Sequence, residues 1–224
     1  MFVSRQDVRR VSGPVFLISA LAWFALLIRP ELMHAHVHHW RQLLNLRSVV
    51  ALVPSWLLML AAMMAPVLIA PICWVRSRSF VHRRNRSVAL FVVGYAAVWT
   101  IAAPLLLAVE VTLRTLSPNP YSEIVLLVLA AVVWQCSPLR QICLNRCHGH
   151  ADLAAFGMAA DLSAVRFGFT HGFWCVGSCW ALMLLPLMPQ AHMPAMLIVT
   201  MVVFSDRLAR PALPAWRWPG WVKT

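Results

Sequence analysis

Six stretches of this chain, 11–28, 49–75, 87–113, 123–139, 167–188 and 193–204, are apolar over lengths that approach or exceed a bilayer's hydrocarbon thickness. No other feature restricts the fold as much. A helical span takes roughly 20 apolar residues. Lipid offers the backbone no water to bond, so each N–H and C=O must find its partner within the chain, as a helix arranges. The expected fold is an all-α, polytopic membrane helix bundle of about six transmembrane helices. It forms one integral membrane domain over residues 1–224, with both termini cytoplasmic. The short connections leave no room for a separate soluble domain.

The orientation follows from the basic residues. Lys and Arg number 19 against 7 Asp and Glu, a balance that in a soluble chain suggests nucleic-acid binding. Here the distribution argues otherwise. With the N-terminus inside, fifteen of the nineteen fall on inner segments and four, Arg29, Arg41, Arg47 and Arg114, on outer ones. That is the positive-inside pattern. The basic residues therefore face anionic headgroups, and the expected partner is the lipid bilayer of a bacterial inner membrane, with no nucleic acid. The first apolar stretch has no small-x-small cleavage pattern after it and reads as a retained anchor. On this topology all six cysteines lie in the membrane or on its reducing side, where metal binding or packing is expected of them rather than disulfides.

Several residues punctuate the spans. Pro54, Pro66 and Pro71 interrupt the second, where each proline frees a carbonyl and kinks the helix. Gly168 and Gly172 give the fifth a small-xxx-small face for close helix contact. The connection 141–166 reads as partly helical and amphipathic, lying in the interface. The tail Ala215-Trp216-Arg217-Trp218-Pro219-Gly220-Trp221 alternates aromatic and basic residues, which suits headgroup anchoring or docking on a larger membrane protein complex.

Chemistry concentrates on soft ligands. His171, Cys175, Cys179 and Met183 recur every fourth residue of the fifth span and share one helical face. Imidazole, thiol and thioether together suit Cu(I), with Zn(II) as the alternative. Met59, Met63 and Met64 on the second span could add thioethers. Cys143, Cys147 and His148 form a possible secondary site on the inner side, with His150 beside them. His34, His36, His38 and His39 form another in the outer loop. Each group also has a plainer explanation, since thiols and thioethers fill gaps between helices. No phosphate loop, H-E-x-x-H or nucleophile elbow occurs, so no enzyme is expected. Glu110 and Glu123 read as solvated carboxylates near the outer boundary.

Taken in order, Trp56-Leu57-Leu58-Met59-Leu60-Ala61-Ala62-Met63-Met64-Ala65-Pro66, Gly94-Tyr95 with Trp99, Gln135-Cys136-Ser137-Pro138-Leu139-Arg140, Cys143-Leu144, Cys147, and His171-Gly172 through Cys175-Val176-Gly177-Ser178-Cys179-Trp180-Ala181-Leu182-Met183 resemble an uncharacterised bacterial family. Its members share a domain of unknown function and are predicted to be metal-binding integral membrane proteins. The resemblance covers roughly residues 50–190. It implies a helical membrane protein with a metal site on Met63, Met64, Cys175, Cys179 and Met183. The family usually has Gly-Cys-Cys-Trp where this chain has Gly177-Ser178-Cys179-Trp180, and an acidic-basic pair after the last span, here Asp206-Arg207.

The expected function is non-catalytic binding and handling of a soft metal, copper or zinc, within the membrane. Two alternatives stand beside it. One is a structural or assembly subunit of a membrane redox or photosynthetic complex. The other is a metal-ion transporter, which the missing internal repeat and absent intramembrane carboxylates disfavour.

Overall fold

The computed structural model describes residues 5–28, 46–117, 119–188 and 192–218. Among these the chain is helical and contains no strand. Helices α1 (Arg5–Ile28) and α2 (Leu46–Met64) are followed by α3 (Ile69–Arg78), α4 (Arg84–Leu116) and α5 (Pro120–Cys136). Then come α6 (Pro138–Cys147), α7 (Gly157–Met183) and α8 (His192–Leu208). The outer histidines His34, His36, His38 and His39 and the end of the tail, 219–224, lie outside the described residues.

Among the described residues two helices, Val8–Ile28 and Val81–Leu116, are long and apolar enough to cross a membrane, or four if each of two bent pairs is one span. The other two apolar stretches do not meet that measure. The stretch 167–188 belongs to a helix that starts earlier, at Gly157, and carries Asp161 and Arg166 in its first turns. The stretch 193–204 belongs to a helix of 17 residues that ends in Asp206-Arg207-Leu208. Apolar side chains nonetheless cover the outside of the bundle. Leu17, Leu21, Phe24 and Leu27 of α1, Ile101 and Leu105 of α4, Leu129 and Val133 of α5, and Ile198 and Met201 of α8 are all exposed.

The two bends occur at prolines. Between α2 and α3 the path turns by 60° around a short turn at Pro66–Leu68. Pro66 has no N–H for the carbonyl of Ala62 one turn earlier. That carbonyl instead accepts from Ser19 Oγ at 2.7 Å and Trp23 Nε1 at 3.1 Å, both on α1. The kink thus ties α1 to the end of α2. Between α5 and α6 the chain turns by 66° at Ser137-Pro138. Here Ser137 Oγ accepts from the Arg140 N–H at 3.1 Å and caps α6.

Helices α4 and α7 pack together along much of their length, and three glycines make this approach possible. A Cβ at Gly168 would collide with the Phe91 carbonyl oxygen, one at Gly94 with that of Val165, and one at Gly172 would press on Val98 and Tyr95. The small-residue face read from the sequence is therefore the α4 contact. Arg83 and Arg86 bond Asp161 at 2.7 and 2.6 Å and anchor the start of α7.

Two expectations change on the polar side. Glu110 and Glu123 are not solvated: both are buried, and both face Arg114, whose guanidinium pairs with Glu110 and reaches Glu123 at 3.5 Å. A charged group taken out of water needs such a partner. Asp206 is buried as well and pairs with Arg140 of α6, with Gln135 Nε2 at 3.5 Å. The chain after α8 folds back over this elbow, where Asn145 bonds Ala212 and the Arg217 N–H donates to Cys136 O at 3.2 Å.

Candidate metal centre

The four-residue ladder of α7 faces inward. Cys175, Cys179 and Met183 are almost fully buried, and His171 is buried just below them. Helical spacing places the ladder on one face, and the glycines at 168 and 172 draw that face against α4. The Tyr95 hydroxyl of α4 lies 3.2 Å from Cys175 Sγ. Cys179 Sγ turns back to donate to the Cys175 carbonyl at 3.0 Å, and Ser178 Oγ donates to the same oxygen at 2.8 Å.

Two further side chains close the centre, both from helix ends. Cys147, the last residue of α6, comes against Cys175 and Ser178. Arg207, in the last turn of α8, lays its guanidinium within interaction range of Cys147, Cys175 and Cys179. The bend at Pro138 directs α6 inward so that Cys147 arrives here. The thiols gathered are therefore Cys147, Cys175 and Cys179, from segments the sequence assigned to two separate sites.

The other predicted ligands divide. Met63 and Met64, at the end of α2, are buried in the same apolar cluster as Cys147, Cys175, Cys179 and Met183, as is Met59. Cys143 is set apart: its sulfur packs against Gly177, on another part of the α7 surface. His148 has both ring nitrogens on backbone carbonyls, Nδ1 to Leu144 O at 2.9 Å and Nε2 to Arg207 O at 3.2 Å. A neutral imidazole donates from one ring nitrogen only, so one of these two contacts is a hydrogen bond at a time. His150 stacks on Trp74 with ring centroids 4.3 Å apart.

His171 sits among Phe91, Tyr95 and Phe167, with ring centroids about 6 Å away. Its Nε2 is buried and has no hydrogen-bond partner among the described residues. The residue also lines a cavity of about 130 Å³ with Cys147, His148, His150, Phe167 and Arg207. Buried polar atoms without partners are rare in native structures. With the ring proton on Nδ1, this nitrogen, one helical turn from Cys175, presents a lone pair to an incoming ion.

No three His, Cys, Asp or Glu side chains among the described residues converge as a ready-made metal site. The chemistry of the donor set explains what it does suit. Zinc in a protein takes four N, S or O ligands in tetrahedral array. Soft thiolates and thioethers select Cu(I), and paired thiols with neighbouring thioethers are the groups present.

Sequence reasoning passed over Tyr95 and Arg207. Both were in view, in Gly94-Tyr95 and Asp206-Arg207, but neither is a metal ligand, and nothing local relates residue 95 or 207 to residue 175.

The fold and site together define a class: a protein helical over its described residues, with exposed apolar helix faces and buried thiols and thioethers. The chain belongs to the PpoB2 family of copper chaperones, whose model matches residues 53–223. That range includes Met63, Met64 and all three clustered thiols, while α1 and the outer histidines precede it. The resemblance implied a metal-binding family, and the family model that matches is described by copper. No curated protein and no solved structure matches the chain.

Proposed function

We propose that this protein holds Cu(I) on Cys175 and Cys179 inside a membrane and hands it on without catalysing a reaction. Cys147 is the neighbouring thiol through which the ion is exchanged. Met63, Met64 and Met183 are the candidate thioether donors, and His171 assists from the cavity side. The observation that carries this reading is the buried pair Cys175 and Cys179 on one face of α7, with Cys147 of α6 beside it, in a chain of a copper chaperone family. Thiolates supply the negative charge that a cation needs away from water.

The exposed apolar faces of α1, α4, α5 and α8 support membrane embedding, since soluble monomers rarely leave such faces uncovered. In this reading α7 and α8 complete a six-span bundle in a bacterial inner membrane, with both termini cytoplasmic. The strong inward bias of basic residues supports that orientation.

The deciding experiment is elemental analysis of protein purified anaerobically in mild detergent, beside a Cys175→Ser/Cys179→Ser variant. About one copper per chain, lost in the variant, is the expected result. Full copper retention in the variant refutes the two thiols as the site, and wild type without copper refutes the function. One observation favours a second reading, as a subunit or docking partner in a larger complex: Trp216 and Trp218 stand exposed on a tail held firmly at the α5–α6 elbow. A stable comigrating complex after gentle extraction is the outcome that reading expects.

A further inference from the structure

We propose that Arg207 is a fixed counter-charge that matches this centre to a monovalent copper ion and sets it against divalent zinc. The inference rests on the reading of Cys175 and Cys179 as the copper-holding thiols.

Arg207 is an unusual group to find beside thiols. Its Nη2 is buried with no hydrogen-bond partner among the described residues, and no salt bridge there involves it. The adjacent acid does not serve it: Asp206 pairs with Arg140, while Arg207 lines the cavity it shares with Cys147 and His171. Consecutive helical residues point about 100° apart, so one turn of α8 places the anion on the elbow and the cation on the metal centre. The position is also held from behind, because the Arg207 carbonyl takes His148 Nε2 at 3.2 Å. A guanidinium does not lose its proton in proteins, so this charge is permanent. It must be balanced by something else in the site.

The charge count decides which ion balances it. Thiols that ligate a metal do so as thiolates. With Cys147 kept as a neutral thiol, the Cys175 and Cys179 thiolates with Cu(I) form a unit of net charge −1, and Arg207 brings the buried assembly to zero. The same two thiolates with Zn(II) are already neutral, and Arg207 then leaves an uncompensated positive charge in an apolar surround. Neither assembly involves Arg207 as a ligand. It acts through the thiols, as a residue that sets specificity.

The test compares wild type with Arg207→Gln and Arg207→Lys, each purified metal-free in mild detergent. Each is then titrated anaerobically with Cu(I), against a colorimetric cuprous chelator, and with Zn(II). For Arg207→Gln the Cu(I)-to-Zn(II) affinity ratio is expected to fall by about tenfold or more, as expected for losing one unit charge at close range in a low-dielectric site. Arg207→Lys, which restores the charge, is expected to recover most of it. Should the Gln variant not fold, Arg207→Leu removes the charge without leaving a buried polar group unpaired. An unchanged ratio in the neutral variant overturns the proposal, as does a Lys variant as defective as the neutral one. If wild type takes up no copper, the reading of the thiols fails first, and the proposal falls with it.

Discussion

Two arginines in this protein leave bulk water in different company. Arg114, at the end of α4, faces two buried carboxylates, Glu110 one turn back and Glu123 on α5. Arg207, at the end of α8, faces thiols. The first arrangement joins fixed groups of α4 and α5 and pins the turn between them. The second pairs a permanent cation with groups whose charge depends on what they hold. Burial makes both costly, so the difference in partners separates a structural device from a functional one.

The sharpest way to press that comparison is at the residue next to Arg207. Asp206→Asn leaves Arg140 buried without its partner. Breaking a buried pair from one side costs about 3–5 kcal/mol. Thermal unfolding in detergent is expected to show the largest loss of any variant here, equal in the metal-free and copper-loaded protein. A loss confined to the copper-loaded form would mean that Asp206 belongs to the centre after all.

A smaller effect is expected at the outer pair. Glu110→Gln with Glu123→Gln strips Arg114 of both partners, but that side chain is 31% exposed, so solvent screens part of the penalty. A loss of about 1–3 kcal/mol is expected, with copper stoichiometry unchanged. If copper binding falls with it, the two arginines are not independent, and the contrast between them weakens.

How much of this was legible beforehand follows from the range of each signal. The helical class, the kink at Pro66 and the close contact at Gly168 and Gly172 could be read because proline, glycine and apolar runs act within a turn or two. The ladder from His171 to Met183 was legible for the same reason. The burial of Glu110 and Glu123 was not, because it depends on Arg114 meeting residues across a turn whose geometry Asn119 and Pro120 set. Nor could the sequence tell that Cys147 joins Cys175 while Cys143, one turn earlier, packs against Gly177. That outcome depends on the 66° bend at Pro138, which a linear reading places only as a helix break. Apolar runs alone do not decide the number of spans, because the stretches at 167–188 and 193–204 sit in helices that carry charged residues toward one end.

Ser178 offers the next test, now on the thiol side. Its hydroxyl is buried, bonds the Cys175 carbonyl at 2.8 Å and lies toward Cys147. Ser178→Cys is nearly isosteric and adds a soft donor between thiols already present. Copper affinity is expected to rise by roughly tenfold, equivalent to about 1.4 kcal/mol, measured by chelator competition. No change would mean that the site is filled by the existing donors, and that the serine does not limit it.

The smallest effect is expected at Tyr95, and it separates a neutral partner from a charged one. The Tyr95 hydroxyl and the Arg207 guanidinium both lie against Cys175, one at 3.2 Å from α4 and the other from α8. A hydroxyl that donates to a sulfur contributes about 0.5–1.5 kcal/mol net, and it favours any metal-bound thiolate regardless of the ion's charge. Tyr95→Phe should therefore weaken Cu(I) and Zn(II) alike, each by less than about tenfold, and leave their ratio where it was. Arg207→Gln should move the ratio itself. The two variants remove interactions from the same sulfur, so a common response would assign both residues to holding Cys175 in place. A divided response would mean that α4 supplies the geometry of the centre and α8 supplies its charge.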